Sequence, residues 1–222
     1  MKAGQTSYGS NGLQNFLFPL EYMYLTQGEY QYTYSHNGTY AMDFQGWGAN
    51  GRVYRCPYYA PFDCTVVAKW GSKSPMIVWE SDKEVNFVDG TSGYACIGFV
   101  HDDHTASIRV GDKRKQGQVI GHTGTYGNAS GDHVHIEVKR GKYNGYYKNN
   151  SGVWQLKEEA HLYNLIGVNN TVLTKDYYVN HQGTRIDYDW RVFSEGDAPS
   201  QPVHRKKHFP WYMVTSKKIH RM

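Results

Sequence analysis

Apolar residues along this chain come in short bursts separated by Gly, Asn and Asp. DCTVVAKW at 63–70, PMIVWES at 75–81, GYACIGFVH at 93–101, GQVIGHTG at 117–124 and DHVHIEV at 132–138 are each rich in β-branched and aromatic residues. Runs of this length and content predict antiparallel strands, and no long stretch with a 3.6-residue apolar period lies between them. RGKYNGYYKNNSGVWQL at 140–156 has the Gly and Asn content of a long loop or hairpin. EEAHLYNLIG at 158–167 is the best helical candidate, with Ala160, Leu162, Tyr163 and Ile166 as a partial apolar face and Gly167 as a stop, and is expected to pack as a short helix or irregular turn. Beyond Val168 the β-like runs TVLTKDYYV and TRIDYDWRVF return, and SEGDAPSQP at 194–202 has linker composition. The expected fold is mostly β: an antiparallel β-sheet core with long loops forming an open groove, and few short helices. Residues 1–20 read as an N-terminal arm, 21–140 as the core, 141–197 as a trailing loop and β region, and 198–222 as a C-terminal tail.

Composition sharpens this picture. At 222 residues the chain can bury a core without many disulfides. Its 20 Tyr and 6 Trp suit strands and recognition surfaces, not helical bundles. The formal charge of +4 is concentrated at one end: Arg205, Lys206, Lys207, Lys217, Lys218 and Arg221 have no acid among them, which leaves 18 bases against 20 acids before Ser200. The body is near neutral and the tail basic. Cys56, Cys64 and Cys96 have no zinc-finger spacing and are expected as structural thiols. No signal peptide and no membrane span are expected from the sequence.

The sharpest chemical feature is His133, Val134, His135. Alternate residues of a strand share a face, with Cα atoms roughly 6.5 to 7 Å apart, so two imidazoles look into one site.

The surrounding string carries more information than the two histidines. VGDKRKQGQVIG at 110–121, followed by TGTYGNASGDHVHIE at 123–137, resembles the C-terminal motif of the lysostaphin/LytM-type zinc endopeptidases, peptidase family M23. SHNGTYAMDF at 35–44, before YYAPFDCTVVA, is similar to that family's N-terminal His and Asp segment, and GFVH at 98–101 to its middle histidine. His36 and Asp43 are seven residues apart where the common family spacing is four.

The resemblance implies zinc (Zn2+) held by His36, Asp43 and His135, with His101 and His133 as the catalytic pair. One of that pair would take a proton from the attacking water and the other would bind the oxyanion; sequence leaves open which does which. Two His and one Asp suit zinc in a site with an open position for water. The implied substrate is a peptide of bacterial peptidoglycan, in the stem or cross-bridge, and the absence of a signal peptide suggests a phage endolysin or a virion-associated lysin. Such an enzyme would sit in the host cytoplasm before holin release, or in the virion, and act at the cell wall. The basic tail is a candidate for attraction to anionic wall polymers, and no nucleic-acid partner is expected. Asp102 or Asp103 is a candidate to orient His101, and Asp132 stands beside His133. His104, His122, His161, His181, His204, His208 and His220 have no ligand spacing. The tyrosines at 22, 24, 30, 32 and 34 and at 143, 146 and 147 are candidate groove walls. Two rival readings remain: an inactive wall-binding or structural virion protein of the same fold, and a cysteine hydrolase using Cys96 and His101.

Overall fold

The computed structural model describes residues 1–29, 35–71 and 75–194. The basic tail at 198–222, with its expected wall affinity, and Tyr30, Tyr32 and Tyr34 lie outside the described residues. A single eight-stranded sheet organises the molecule. Its strands are β1 (Tyr22–Gln27), β2 (Met42–Phe44), β3 (Cys64–Trp70), β4 (Met76–Ser81), β5 (Ala95–Val100), β6 (Lys113–Arg114), β7 (Val134–Arg140) and β8 (Val172–Lys175). Their spatial order is β6-β3-β4-β5-β7-β2-β1-β8. Neighbours run antiparallel except at one edge, where β8 lies parallel to β1. The protein is mostly β, as the pattern of apolar bursts predicts. Four of the five predicted runs supply β3, β4, β5 and β7, whereas the run at 117–124 pairs through Val119–His122 with Pro57–Tyr59 outside the main sheet.

The two faces of the sheet differ because side chains alternate across it. Val134, Ile136 and Val138 of β7 point into the main core with Met42, Phe44, Ile97 and Phe99. The stretch 1–20, read from sequence as an arm, ends inside this core. Phe16 packs edge-on against Phe62 at 4.7 Å and Phe18 against Phe44 at 5.0 Å. Residues from the trailing region, Leu162, Leu165, Ile166 and Val168, are buried in the same cluster. The opposite face carries His135 and Glu137 of β7. Next to them a smaller cluster of Met76, Val78, Cys96 and Leu156 is covered by a hairpin, in which Tyr146–Lys148 pairs antiparallel with Trp154–Leu156.

The helix is short, as expected. Only Leu162–Leu165 is helical, His161 and Ile166 being already extended on either side. The Glu158–Glu159 start has no capping side chain, Glu158 has a φ of +59°, and the Ala160 N–H is taken by the Val138 carbonyl at 2.9 Å. Residues 159–160 are thus committed to pairing with β7, and the helix starts only after His161. Among the described residues no helix is long and apolar enough to cross a membrane.

Candidate metal centre

Strand register assembles the site. β2 and β7 pair with Asp43 directly opposite His135, and β7 pairs with β5 so that His135 lies opposite Val100, one residue before His101. His133 is held just before β7 by a two-way backbone bridge to Gly124, at 2.9 and 3.0 Å. His36 arrives from a turn closed by the Thr39 N–H on the His36 carbonyl at 3.0 Å, with Gly38 at φ +81°. That turn absorbs the long spacing between His36 and Asp43. All five residues expected at the site are thus brought together on one face.

The donor atoms of His36, Asp43 and His135 lie within 4.8 Å of one another. Their hydrogen bonds test whether a cation suits them. His36 Nδ1 is 2.9 Å from the Gly28 carbonyl, which can only accept, so Nδ1 carries the proton. His36 Nε2 lies 3.2 Å from Asp43 Oδ1, so this contact holds either a second proton on the ring or a cation shared by the two atoms. His135 stands between two carboxylates, with Nδ1 3.0 Å from Asp43 Oδ1 and Nε2 3.1 Å from Glu137 Oε1. Burial opposes a charge on this ring, but its bonds to Asp43 and Glu137 prevail and raise its pKa to about 10. Burial would likewise lift Asp43, yet His36 and His135 hold its carboxyl well below the usual range. A metal ion on Nδ1 would replace the extra proton and leave Nε2–H to donate to Glu137, the ligand-to-carboxylate arrangement common behind metal-bound histidines. Two imidazole nitrogens and one carboxylate oxygen suit zinc and leave a coordination position free.

His101 and His133 complete the cluster, their ring centroids 4.4 Å apart. His101 follows the end of β5 with φ +81°, a backbone conformation rare for a side chain of this size. It is held there by Tyr126, whose N–H donates to the His101 carbonyl at 3.1 Å and whose carbonyl accepts from His101 Nδ1 at 2.8 Å. Burial, then the nearby His135 and His133, lower the His101 pKa to about 4, so the ring is neutral at pH 7 with its Nε2 lone pair available. His133 Nδ1 donates to the Gly131 carbonyl at 2.7 Å, and its Nε2 lies 3.6 Å from Asp43 Oδ2.

The acids expected near these rings work elsewhere. Asp102 accepts from the backbone N–H groups of His104 at 2.7 Å and His122 at 2.9 Å, Asp103 pairs with Arg55, and the acceptor on His101 is the Tyr126 carbonyl. Asp132 is buried and accepts from Thr123 Oγ1 at 2.6 Å and the Arg55 N–H at 3.2 Å, so it ties loops together. His161 pairs with Glu29 at 2.8 Å. His204, His208 and His220 lie outside the described residues. All three cysteines are free thiols. Burial and then Glu80 push the Cys96 thiol up to about 12, which argues against a nucleophile there.

The cluster lies in a groove of about 330 Å³. Beyond the five site residues and Glu137, its walls include Trp70, Met76 and Tyr146 on one side and Asn128 and Ser130 on the other. A smaller polar hollow bordered by Thr26, Gln45 and Ser130 continues past Asp43 and His133. Of the tyrosines considered as groove walls, Tyr146 takes that place, while Tyr24 stacks on Trp47 at 4.0 Å. Glu137 is visible in the sequence as the last letter of HVHIE, where strand alternation from His133 and His135 is the signal that puts it on their face. Trp70 and Trp154 carried no sequence signal beyond their type.

No family model matches the chain. Morphogenesis protein 1 of Bacillus phage B103 is 39% identical over 188 residues, which cover 84% of this chain and 47% of that protein. The chain therefore spans about half the length of this curated relative. Among solved structures, a zinc-containing peptidase from Vibrio cholerae is similar over 60% of this chain and 42% of its own, at 19% identity and a TM-score of 0.40. The catalytic domain of the antimicrobial peptidase lysostaphin from Staphylococcus simulans is similar over 59% of this chain and 84% of its own, at 19% identity and a TM-score of 0.37.

Proposed function

We propose that this chain is a zinc-dependent endopeptidase of bacterial peptidoglycan, hydrolysing peptide bonds in the stem or cross-bridge. The observation that carries the reading is the cluster itself: the ligand atoms of His36, Asp43 and His135 lie within 4.8 Å of one another, and His101 and His133 line the same groove. His36, Asp43 and His135 would hold the ion. Zinc bound there would lower the pKa of a water molecule and polarise the scissile carbonyl. His101, neutral at pH 7 and fixed by Tyr126, can accept a proton at Nε2 and return it to the leaving amine. His133, protonated when it donates, can bind the oxyanion through Nε2–H; the exchange of these two roles is equally compatible with the geometry. The open groove accommodates an extended peptide with chain on both sides of the scissile bond.

A phage morphogenesis protein as relative supports a virion-borne enzyme over one released freely at lysis. The rival is a protein of the same shape that docks on the wall without cutting it. Elemental analysis combined with wall digestion separates them. We expect one zinc per chain and soluble peptide fragments from purified walls, with hydrolysis abolished by His135→Ala and by chelation and restored by added zinc. A protein that binds walls but holds no zinc and releases no fragment refutes the enzyme.

A further inference from the structure

The groove has an end that the hydrolytic cluster does not use. Trp70, Trp154 and Tyr146 pack on one another there, Trp70 lying 4.5 Å from Trp154 and 5.3 Å from Tyr146, stacked on the latter at 21°. Trp70 remains 37% and Trp154 46% exposed. All three line the same groove as the histidines. Two part-exposed indoles tilted at 49° to each other, one of them stacked on the Tyr146 ring, present an apolar surface to solvent, where such rings are ordinarily covered.

The chemistry of the walls narrows what this platform receives. None of the described residues lining the groove is Lys or Arg, so these residues offer no counter-charge to a phosphate polymer or a nucleic acid. Gln27 and Ser130, beside Asp43 and His133, and Asn128 supply neutral hydrogen-bonding groups along the groove instead. A pyranose ring, with one face of C–H bonds and an edge of hydroxyls, matches exposed aromatics in a groove that also carries neutral polar groups. The sugar that bears the peptide in peptidoglycan fits in charge as well. Its lactyl carboxyl is tied up as the amide of the first stem residue, so the junction of sugar and peptide is uncharged.

The sheet also sets the distance. Trp70 pairs with Met76 across β3 and β4, Phe99 of β5 pairs with Ile77 of β4, and Val100 of β5 pairs with His135 of β7. Trp70, Met76, Val100 and His135 therefore form a row across four neighbouring strands. Three interstrand steps of about 4.8 Å separate Trp70 from His135, roughly 14 Å in all. Extended peptide covers that span in about four residues.

We propose that Trp70, Trp154 and Tyr146 form a sugar-stacking subsite for the glycan end of the substrate, so that the bond presented to the histidine cluster lies about four residues along the stem from the sugar. The proposal rests on the peptidoglycan reading above and deepens it.

Binding and cleavage are tested separately, so that failure of the subsite and failure of the peptidase reading are distinguishable. Calorimetric titration of the metal-free full chain with short glycan fragments stripped of their peptides reads the subsite without any hydrolysis. Saturable binding, lost in Trp154→Ala and retained in Trp154→Phe, is expected; no binding to wild type overturns the proposal. In cleavage assays, Trp154→Ala is expected to raise KM about tenfold on glycan-attached stems, the scale of one aromatic contact, with kcat unchanged. The same stems freed from the glycan by an amidase should be cleaved equally well by both proteins. Equal losses on both substrates assign the platform to the peptide and overturn the proposal, as does no loss on either. Mass spectrometry of sugar-bearing products should find about four residues still attached, and a cut at the first or second residue contradicts the spacing.

Discussion

Glu137 shows how much of the candidate site is decided behind the proposed ligands. Its two oxygens have separate duties: Oε1 lies 3.1 Å from His135 Nε2 and Oε2 accepts the Leu156 N–H at 2.7 Å. It therefore fixes the tautomer of a proposed ligand while anchoring the covering hairpin. Removing such a carboxylate behind a metal-bound histidine commonly costs ten- to a hundredfold in affinity. Glu137→Ala should weaken zinc binding by about that factor in competition with a chromophoric chelator, with Glu137→Gln in between because its amide oxygen can still accept from His135. Unchanged affinity in the alanine variant would rule out this supporting role. At this scale the sequence was readable where side chains do the work: His133 and His135 share a face by strand periodicity alone. It was silent where backbone does it. The carbonyls of Gly28, Tyr126 and Gly131 fix the tautomers of His36, His101 and His133, and a carbonyl has no residue-type signature.

Between elements, the tightest approach is at Gly124. It bridges His133, and a Cβ built on it would run into the His101 carbonyl. Only glycine lets the two catalytic candidates come this close. Gly124→Ala should cost about 1 to 3 kcal/mol in urea denaturation, the usual price of overpacking. It should also reduce peptide hydrolysis far more than zinc affinity, because His36, Asp43 and His135 stand on other segments. Parallel loss of zinc would contradict that separation. Strands β3, β4, β5 and β7 were legible because their β-branched and aromatic bursts end at turn residues. The short helix was legible too, although its apolar spacing reflects burial of Leu162, Leu165 and Ile166 in the core and does not set where it begins. The placement of Trp70 in line with His135 depends on register across four strands, which no local pattern encodes.

For the molecule as a whole, the centre couples metal, protons and stability. Without metal, His135 has its pKa raised to about 10, so its contribution is complete below the ordinary value of 6.5 and is lost as pH rises through about 10. His101, lowered to about 4, acts in the opposite direction: stability falls as pH drops from 6.5 towards 4, because the unfolded ring takes up a proton that the folded ring refuses. The depressed Asp43 adds to the loss at acid pH. Chelator-treated protein should therefore melt highest near about pH 6.5, with Tm falling on both sides. Zinc should raise Tm with concentration and flatten the alkaline limb, since it stands where the His135 proton was. A metal-free Tm that does not change between pH 6.5 and 10 would refute this coupling.

The sequence separation of Asp43 and His135, 92 residues, also bears on how the molecule is made. Contacts this distant form only after a large loop has closed, so they belong to the slow part of folding. A growing chain that has produced His36 and Asp43 holds two of the three proposed ligands and must wait for β7 to supply the third. Zinc then has little opportunity to template the first structure, unlike in small metal modules whose ligands are neighbours in sequence. Capture of the proposed zinc would instead mark the moment when β2 and β7 dock, and the rate of zinc uptake during refolding would be a clock for completion of the central sheet.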